Sequence, residues 1–212
     1  MPKYVPEIKN AHREKIVDAC ETLYQSRTFS EITFAEIGKA SGFTRTSIYT
    51  YFHTKEEIFL ALLQREYGKW IRELENIEQT KVKLTASKLA KMLALSLQNR
   101  VQLLKLLSMN LYAIEENSRD ENLLEFKRVY KASLDAVDRC FRKFDPKASP
   151  AESYAFSYHF FPFMYGIYPY VFPSEKQIKA MKTAGMKLKK RTVCQLAYPA
   201  IVKMLDKNKN RL

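Results

Sequence analysis

Glycine and proline are scarce in this 212-residue chain, with 5 and 8 copies. Strand-rich folds draw many turns from these two residues, so an all-β architecture is disfavoured and helices are expected. Cysteine is scarcer still: Cys20, Cys140 and Cys194 are odd in number, far apart, and not paired with histidine at metal-ligand spacing. They read as small core residues of a protein in a reducing cytosol. The three histidines, His12, His53 and His159, are too dispersed for a catalytic or metal cluster. There is no Glu-x-x-His pair of a di-metal bundle and no glycine-rich phosphate loop, so no enzyme, cofactor or metal is expected. The opening MPKYVPEIKNAHREK has no apolar run of a signal peptide, which points to a cytoplasmic protein. The aromatic stretch from Tyr154 to Pro173 contains three prolines, a glycine, a histidine and five tyrosines. That composition suits a buried, kinked helix and not a membrane span, which needs about 20 mostly aliphatic residues.

What is present is an apolar fraction of 46%, enough for a proper core, and a net charge of +13. The charge is unevenly placed. Residues 1–70 carry ten Lys and Arg against nine Asp and Glu, residues 71–174 fifteen against twelve, and residues 175–212 eleven against two. Bulk charge therefore does not mark the first third as a nucleic-acid surface; a motif has to do so.

Apolar residues at Ile16, Ala19, Cys20, Leu23 and Tyr24 predict an amphipathic helix over Ala11 to Ser26. Thr33 and Glu36 have the spacing of a capping box for a short helix ending at Ser41 before Gly42. Thr44 can cap a third helix to about Phe52, and Thr54 a fourth opening with Lys55, Glu56 and Glu57. The fourth carries a stripe through Ile58, Phe59, Leu62, Leu63, Trp70, Ile71 and Leu74, long enough to connect two domains. Later patterns predict helices over about Thr85 to Ile114, Arg119 to Phe144, Ser149 to Tyr170 and Thr192 to Asp206. The expected architecture is all-α: an N-terminal three-helix head with a helix-turn-helix at residues 1–54, ordered from residue 9, joined by the connecting helix to a C-terminal helical bundle at residues 55–212.

Two short helices around Ser41-Gly42-Phe43 have the form of a DNA-binding helix-turn-helix. Gly42 supplies the left-handed turn residue, and Gly38 and Ala40 allow the helices to cross closely. The second helix would enter the major groove. There Arg45 can donate two hydrogen bonds to guanine, and Thr44, Thr46 and Ser47 can meet base edges or thymine methyls. Thr33, Tyr49, Thr50, Tyr51, His53 and Lys55 lie where side chains could reach phosphates, aided by the positive end of the fourth helix. Ile48, Phe52 and Phe43 read as core.

The run ITFAEIGKASGFTRTSIYTYFHTKEEIF resembles the signature of the TetR/AcrR family of bacterial regulators. Thr33, Ile37, Gly42, Thr44, Ile48, Tyr49, Tyr51, Phe52, Lys55 and Glu56 match or conservatively replace its positions, and the likeness covers about Ile16 to Leu63. Thr28 stands where the family usually has a helix-ending glycine, and Thr46 where glycine or alanine is frequent. The resemblance implies a homodimeric transcription regulator, usually a ligand-responsive repressor, with a palindromic double-stranded DNA operator and a small-molecule effector. An activator or ligand-independent regulator with the same head, and from a different class a helical enzyme with a vestigial head, stay open at this stage.

In the body, Tyr154, Tyr158, His159, Phe163 and Tyr165 sit on a proline-bent segment that can line an adaptable pocket, with Met109, Tyr112 and Phe126 as further candidates for the effector site. The resemblance places the dimer interface on the last two long helices, where Val193, Leu196, Ala200, Ile201 and Met204 form an apolar face. The basic run Lys187, Lys189, Lys190, Arg191 reads as solvated surface.

Overall fold

The structure is a computed structural model and describes residues 4–206, with side chains described from residue 7; the two ends of the expected domains, residues 1–3 and 207–212, lie outside it. Eleven α-helices and one 3-10 turn occur among the described residues, with no strand. They are α1 (Tyr4–Ser26), the 3-10 turn (Phe29–Glu31), α2 (Phe34–Ser41), α3 (Arg45–Tyr49), α4 (Lys55–Glu78) and α5 (Ala86–Gln98). Then follow α6 (Val101–Leu107), α7 (Leu111–Glu116), α8 (Asp120–Phe144), α9 (Pro150–Val171), α10 (Glu175–Thr183) and α11 (Val193–Met204). No described helix is long and apolar enough to cross a membrane.

The chain divides into two compact units, residues 1–66 with 109–129, and residues 67–108 with 130–212. The first unit is thus larger than the three helices expected at 1–54, and it takes in a segment from the middle of the chain. Its core is built by Ile16, Cys20 and Tyr24 of α1, Ile37 of α2, Ile48 of α3, Phe52, and Ile58 and Phe59 of α4, all buried. Tyr24 and the 3-10 residue Phe29 pack edge-on against Phe59, with ring centroids 5.1 and 4.8 Å away. Arg65 of α4 fastens α1 by reaching Glu14, Asp18 and Glu21 at 2.5, 2.6 and 2.7 Å.

The second unit is organised on Trp70, which is fully buried among Tyr67, Phe160 and Phe161 and donates its indole N–H to Ser96 Oγ at 3.0 Å. Here α11 packs on α5 and α9, and α9 also packs on α6. Burial of an aromatic whose N–H keeps a partner combines a large apolar area with no unpaired donor.

Three helix expectations need correction. The single helix over Thr85 to Ile114 is three, α5, α6 and α7, because the chain leaves helical geometry at Arg100 (φ −118°, ψ 46°) and Asn110 starts a new helix by accepting from the Ala113 amide. The leucine pattern runs unbroken across those joints and hides them. The segment after Pro173 holds α10, begun by a capping box between Ser174 and Gln177. The third helix stops at Tyr49 and not near Phe52, as the amides of Thr50 and Tyr51 turn to the carbonyls three residues back, Ser47 and Ile48, and tighten its last turn. The cysteines are all buried and free, and burial pushes the Cys20 and Cys140 thiols up to about 12.

Candidate nucleic-acid interface

The helix-turn-helix forms from local chemistry that can be followed residue by residue. Thr33 adopts extended geometry, its hydroxyl accepts from the Glu36 amide at 3.3 Å, and the Glu36 carboxylate returns to the Thr33 amide at 2.9 Å. This satisfies two otherwise orphaned donors at the start of α2. At the other end Gly42 takes φ 76°, the left-handed conformation open to glycine at little cost, and the amides of Gly42 and Phe43 both reach the Gly38 carbonyl. A Cβ on Gly38 would lie 2.7 Å from the Phe43 carbonyl oxygen, so the chain can pass that closely only over a glycine. Ala40, by contrast, faces solvent and does not assist the crossing.

Thr44 then caps α3: its hydroxyl accepts from the Ser47 amide at 3.1 Å and lies 2.8 Å from the Ser47 hydroxyl. Ile48 is the buried residue of this short helix, while Thr44, Arg45, Thr46, Tyr49 and Thr50 are exposed together. Arg45 lies along the same face and donates from Nη2 to the Tyr49 hydroxyl at 3.1 Å. Tyr49 is itself stacked on Phe34, ring centroids 5.1 Å apart and planes within 16°. Phe34 is thus a platform that holds the exposed tyrosine ring, and α3 presents an arginine, three hydroxyl-bearing side chains and a propped tyrosine.

The outer candidates are placed differently. The Tyr51 hydroxyl pairs with His12 Nδ1 of α1 at 2.9 Å and is half-buried. His53 is exposed, and its backbone amide donates to Glu57 Oε2 at 2.7 Å. The Lys55 ammonium donates to the carbonyls of Phe29 and Ile32 at 2.7 and 2.9 Å and lies 4.0 Å from the Phe29 ring centroid. It therefore closes the 3-10 turn that precedes α2. Thr28 sits at φ −90° as the cap of that turn, so α1 ends without the left-handed residue that a glycine would supply.

Sequence reasoning missed Phe34, His12 and above all the pair Glu57–Arg119. By sequence Glu57 is a helix-opening acid, yet its carboxylate is buried and receives Arg119 Nε at 2.6 Å and Nη2 at 2.9 Å. Nothing local to either residue announces a partner 62 positions away. Burial pushes the Glu57 carboxyl up, but the bonds from the Arg119 side chain and from the His53 and Arg119 amides outweigh it and hold the pKa below the ordinary glutamate value. A depressed folded-state pKa stabilises the fold above the unfolded value of about 4.3, and the contribution is lost as pH falls through the folded value. Glu57→Gln is therefore expected to flatten the loss of urea stability as pH falls below about 4.3 relative to the wild type. Identical acid limbs would contradict the pairing.

The candidate effector residues are divided between the two units. Met109, Tyr112 and Phe126 belong to the first unit, with Tyr112 exposed and Phe126 buried. In the second unit Tyr154 and Tyr158 stack at 5.7 Å and line a 460 Å³ cleft with Tyr130, Leu134, Phe161 and Asp138. His159 is exposed, Phe163 is half-buried, and the Tyr165 hydroxyl lies 3.2 Å from that of Tyr67. Of the apolar face on α11, Val193 and Ile201 are buried within the second unit's own core, whereas Leu196, Ala200 and Met204 are half-buried. The basic run from Lys187 to Arg191 is exposed between α10 and α11.

Two family models match the chain. One, described as bacterial regulatory proteins of the tetR family, takes in residues 16–62, and one described as the tetracyclin repressor-like C-terminal domain takes in residues 64–193. An uncharacterized HTH-type transcriptional regulator of Bacillus subtilis, YfiR, is 28% identical over 74 residues. That match covers 35% of this chain and spans 36% of the relative's length. Among solved structures, a TetR-family regulator from Mesorhizobium loti has a TM-score of 0.60 at 16% identity, covering 93% of this chain and 96% of that one. The regulator FadR from Bacillus subtilis, solved with stearoyl-CoA, has a TM-score of 0.54 at 18% identity, covering 92% and 97%. At these identities the likeness is one of fold.

Proposed function

Because the chain belongs to the TetR family of bacterial transcriptional regulators, we propose that it is a cytoplasmic, sequence-specific DNA-binding repressor. It binds a palindromic operator as a homodimer and releases it when a small molecule occupies the body. The observation that carries the DNA reading is the exposed face of α3, where Arg45, Thr44, Thr46 and Tyr49 stand clear of the core while Ile48 anchors the helix behind them. Arg45 and the hydroxyls of Thr44, Thr46 and Ser47 read base edges; Tyr49, Thr50, His53 and Thr33 serve the phosphates. Tyr51 and Lys55 contribute by holding the head in shape through His12 and the 3-10 turn.

Two units, with a C-terminal region of repressor-like type, support a body that senses a ligand. The acyl-CoA in the FadR structure supports a lipophilic effector class, and Tyr154, Tyr158 and Phe161 offer an aromatic cleft of suitable character. Leu196, Ala200 and Met204 of α11 supply the apolar surface for an isologous dimer. Effector binding that favours a head spacing mismatched to the operator would lower affinity by a coupling energy of about 1–3 kcal/mol.

A gel shift with DNA from around the gene tests this reading. A retarded fragment is expected, and Arg45→Ala should weaken it by about 1–3 kcal/mol while relaxing discrimination at one base pair. Tyr49→Phe, which removes the acceptor for Arg45 but keeps the ring on Phe34, should have a smaller effect. Uniform weakening across unrelated sequences would instead assign Arg45 to a phosphate.

A further inference from the structure

A helix of five residues cannot hold its own orientation, since isolated helices shorter than about 12 residues are marginal in water. The direction of α3 is set by what grips it. Ile48 and Phe52 grip it from inside. On its C-terminal side the grip comes from Arg119, the residue before α8.

Arg119 Nη2 donates to the Tyr51 carbonyl at 3.2 Å and also to Glu57 Oε2 at 2.9 Å. The same Glu57 oxygen takes the His53 amide at 2.7 Å, and the Arg119 amide donates to Glu57 Oε1 at 3.1 Å. One arginine and one buried carboxylate thereby fix the carbonyl before Phe52 and the amide after it. A second tie joins the same two turns, from the Thr54 hydroxyl to the Asn117 carbonyl at 2.8 Å. All these residues lie in the first compact unit, so residues 109–129 complete the head from the middle of the chain.

We propose that Arg119 is a positioning residue for sequence reading: acting through Glu57, it sets the exit of α3 and thereby the presentation of Thr44, Arg45 and Tyr49, without touching DNA. The inference rests on α3 being the recognition helix. It follows that residues 1–54 alone lack a part needed to read DNA, because Glu57 and the arginine that neutralises and orients it both lie outside them. A carboxylate buried at Glu57 without its arginine is uncompensated, so the fold has strong reason to keep this pair together.

The test uses full-length wild type, Arg119→Ala, Arg119→Lys and the double variant Glu57→Gln/Arg119→Gln, which removes both charges and so avoids the uncompensated buried carboxylate that Arg119→Ala leaves. Each is titrated, at a temperature where its circular dichroism is native, against the duplex that the wild type selects from a random pool and against a scrambled duplex of the same composition. Arg119→Ala and the double variant should lose about tenfold or more on the selected duplex and no more than about twofold on the scrambled one. Arg119→Lys should recover part of the loss, and amide exchange at residues 51–53 should accelerate in step with it. Equal losses on the two duplexes, or a preference left intact in Arg119→Ala and in the double variant, would overturn the positioning role alone. Failure of the wild type to select any sequence would remove the reading of α3, and this inference with it.

Discussion

Gly38→Val should abolish sequence-selective DNA binding and leave the first unit without an ordered helix-turn-helix. Even the Cβ alone would sit 2.7 Å from the Phe43 carbonyl oxygen and 3.5 Å from Ile48 Cδ1. The nearer atom is backbone, so it cannot rotate away, and the turn through Gly42 at φ 76° leaves little slack. The higher helix propensity of valine over glycine returns only about 0.5 kcal/mol, whereas forcing extra carbon atoms into a closed contact costs about 1–3 kcal/mol and occasionally more. Strain wins, and it falls on the segment that carries Thr44 and Arg45. Hydrogen exchange should show lost protection in residues 34–52 with retained protection in α5, while the gel shift disappears. A variant that binds DNA as the wild type does would refute the close crossing.

Trp70→Ala should produce the largest loss of stability. Trp70 is fully buried, packs against Tyr67, Phe160 and Phe161, and holds Ser96 through its indole N–H. Truncating such a residue costs about 3–5 kcal/mol, the lost transfer energy plus the cavity left behind. For a chain of this size that corresponds to a fall in Tm of about 6–20 °C by circular dichroism. Trp70→Phe, which keeps a ring but not the donor, should fall between. The Ser96 hydroxyl also donates to the Leu93 carbonyl at 2.8 Å, so it is not orphaned in either variant, and the cavity dominates the difference. A shift in Tm below about 2 °C for Trp70→Ala would mean that α4, α5 and α9 do not share one core.

The fold was legible where the signals are local. Thr33 with Glu36, Gly42, and Thr44 before Ser47 are capping and turn chemistry written within four residues, and the helix-turn-helix follows from them. The long apolar stripe of α4 likewise announced a connector: residues 55–66 belong to one unit and 67–78 to the other. What escaped is non-local or masked by leucine. The breaks at Arg100 and Asn110 lie in a run whose apolar spacing continues unchanged, and α10 is short and lysine-rich.

In the site, the residues of α3 could be picked out because their chemistry is unusual for a surface helix. The sequence places Lys55 and Tyr51 at phosphates and Glu57 in a helix-opening turn, because sequence order cannot reveal that their partners are Phe29, His12 and Arg119. Those three contacts divide the candidates into residues that face outward and residues that hold the head together. The division also bears on charge: with ten basic against nine acidic residues in the first 70, the proposed recognition rests on the geometry of α3 more than on bulk potential.

Selection of duplex DNA from a random pool by the full-length wild type, with Arg45→Ala run in parallel, tests the central claim most directly. The account predicts enrichment of an inverted repeat whose half-sites are about one helical turn apart or slightly more, and loss of the preference at one position of each half-site in the variant. Enrichment of no sequence, or of the same sequence to the same degree by Arg45→Ala, would contradict it.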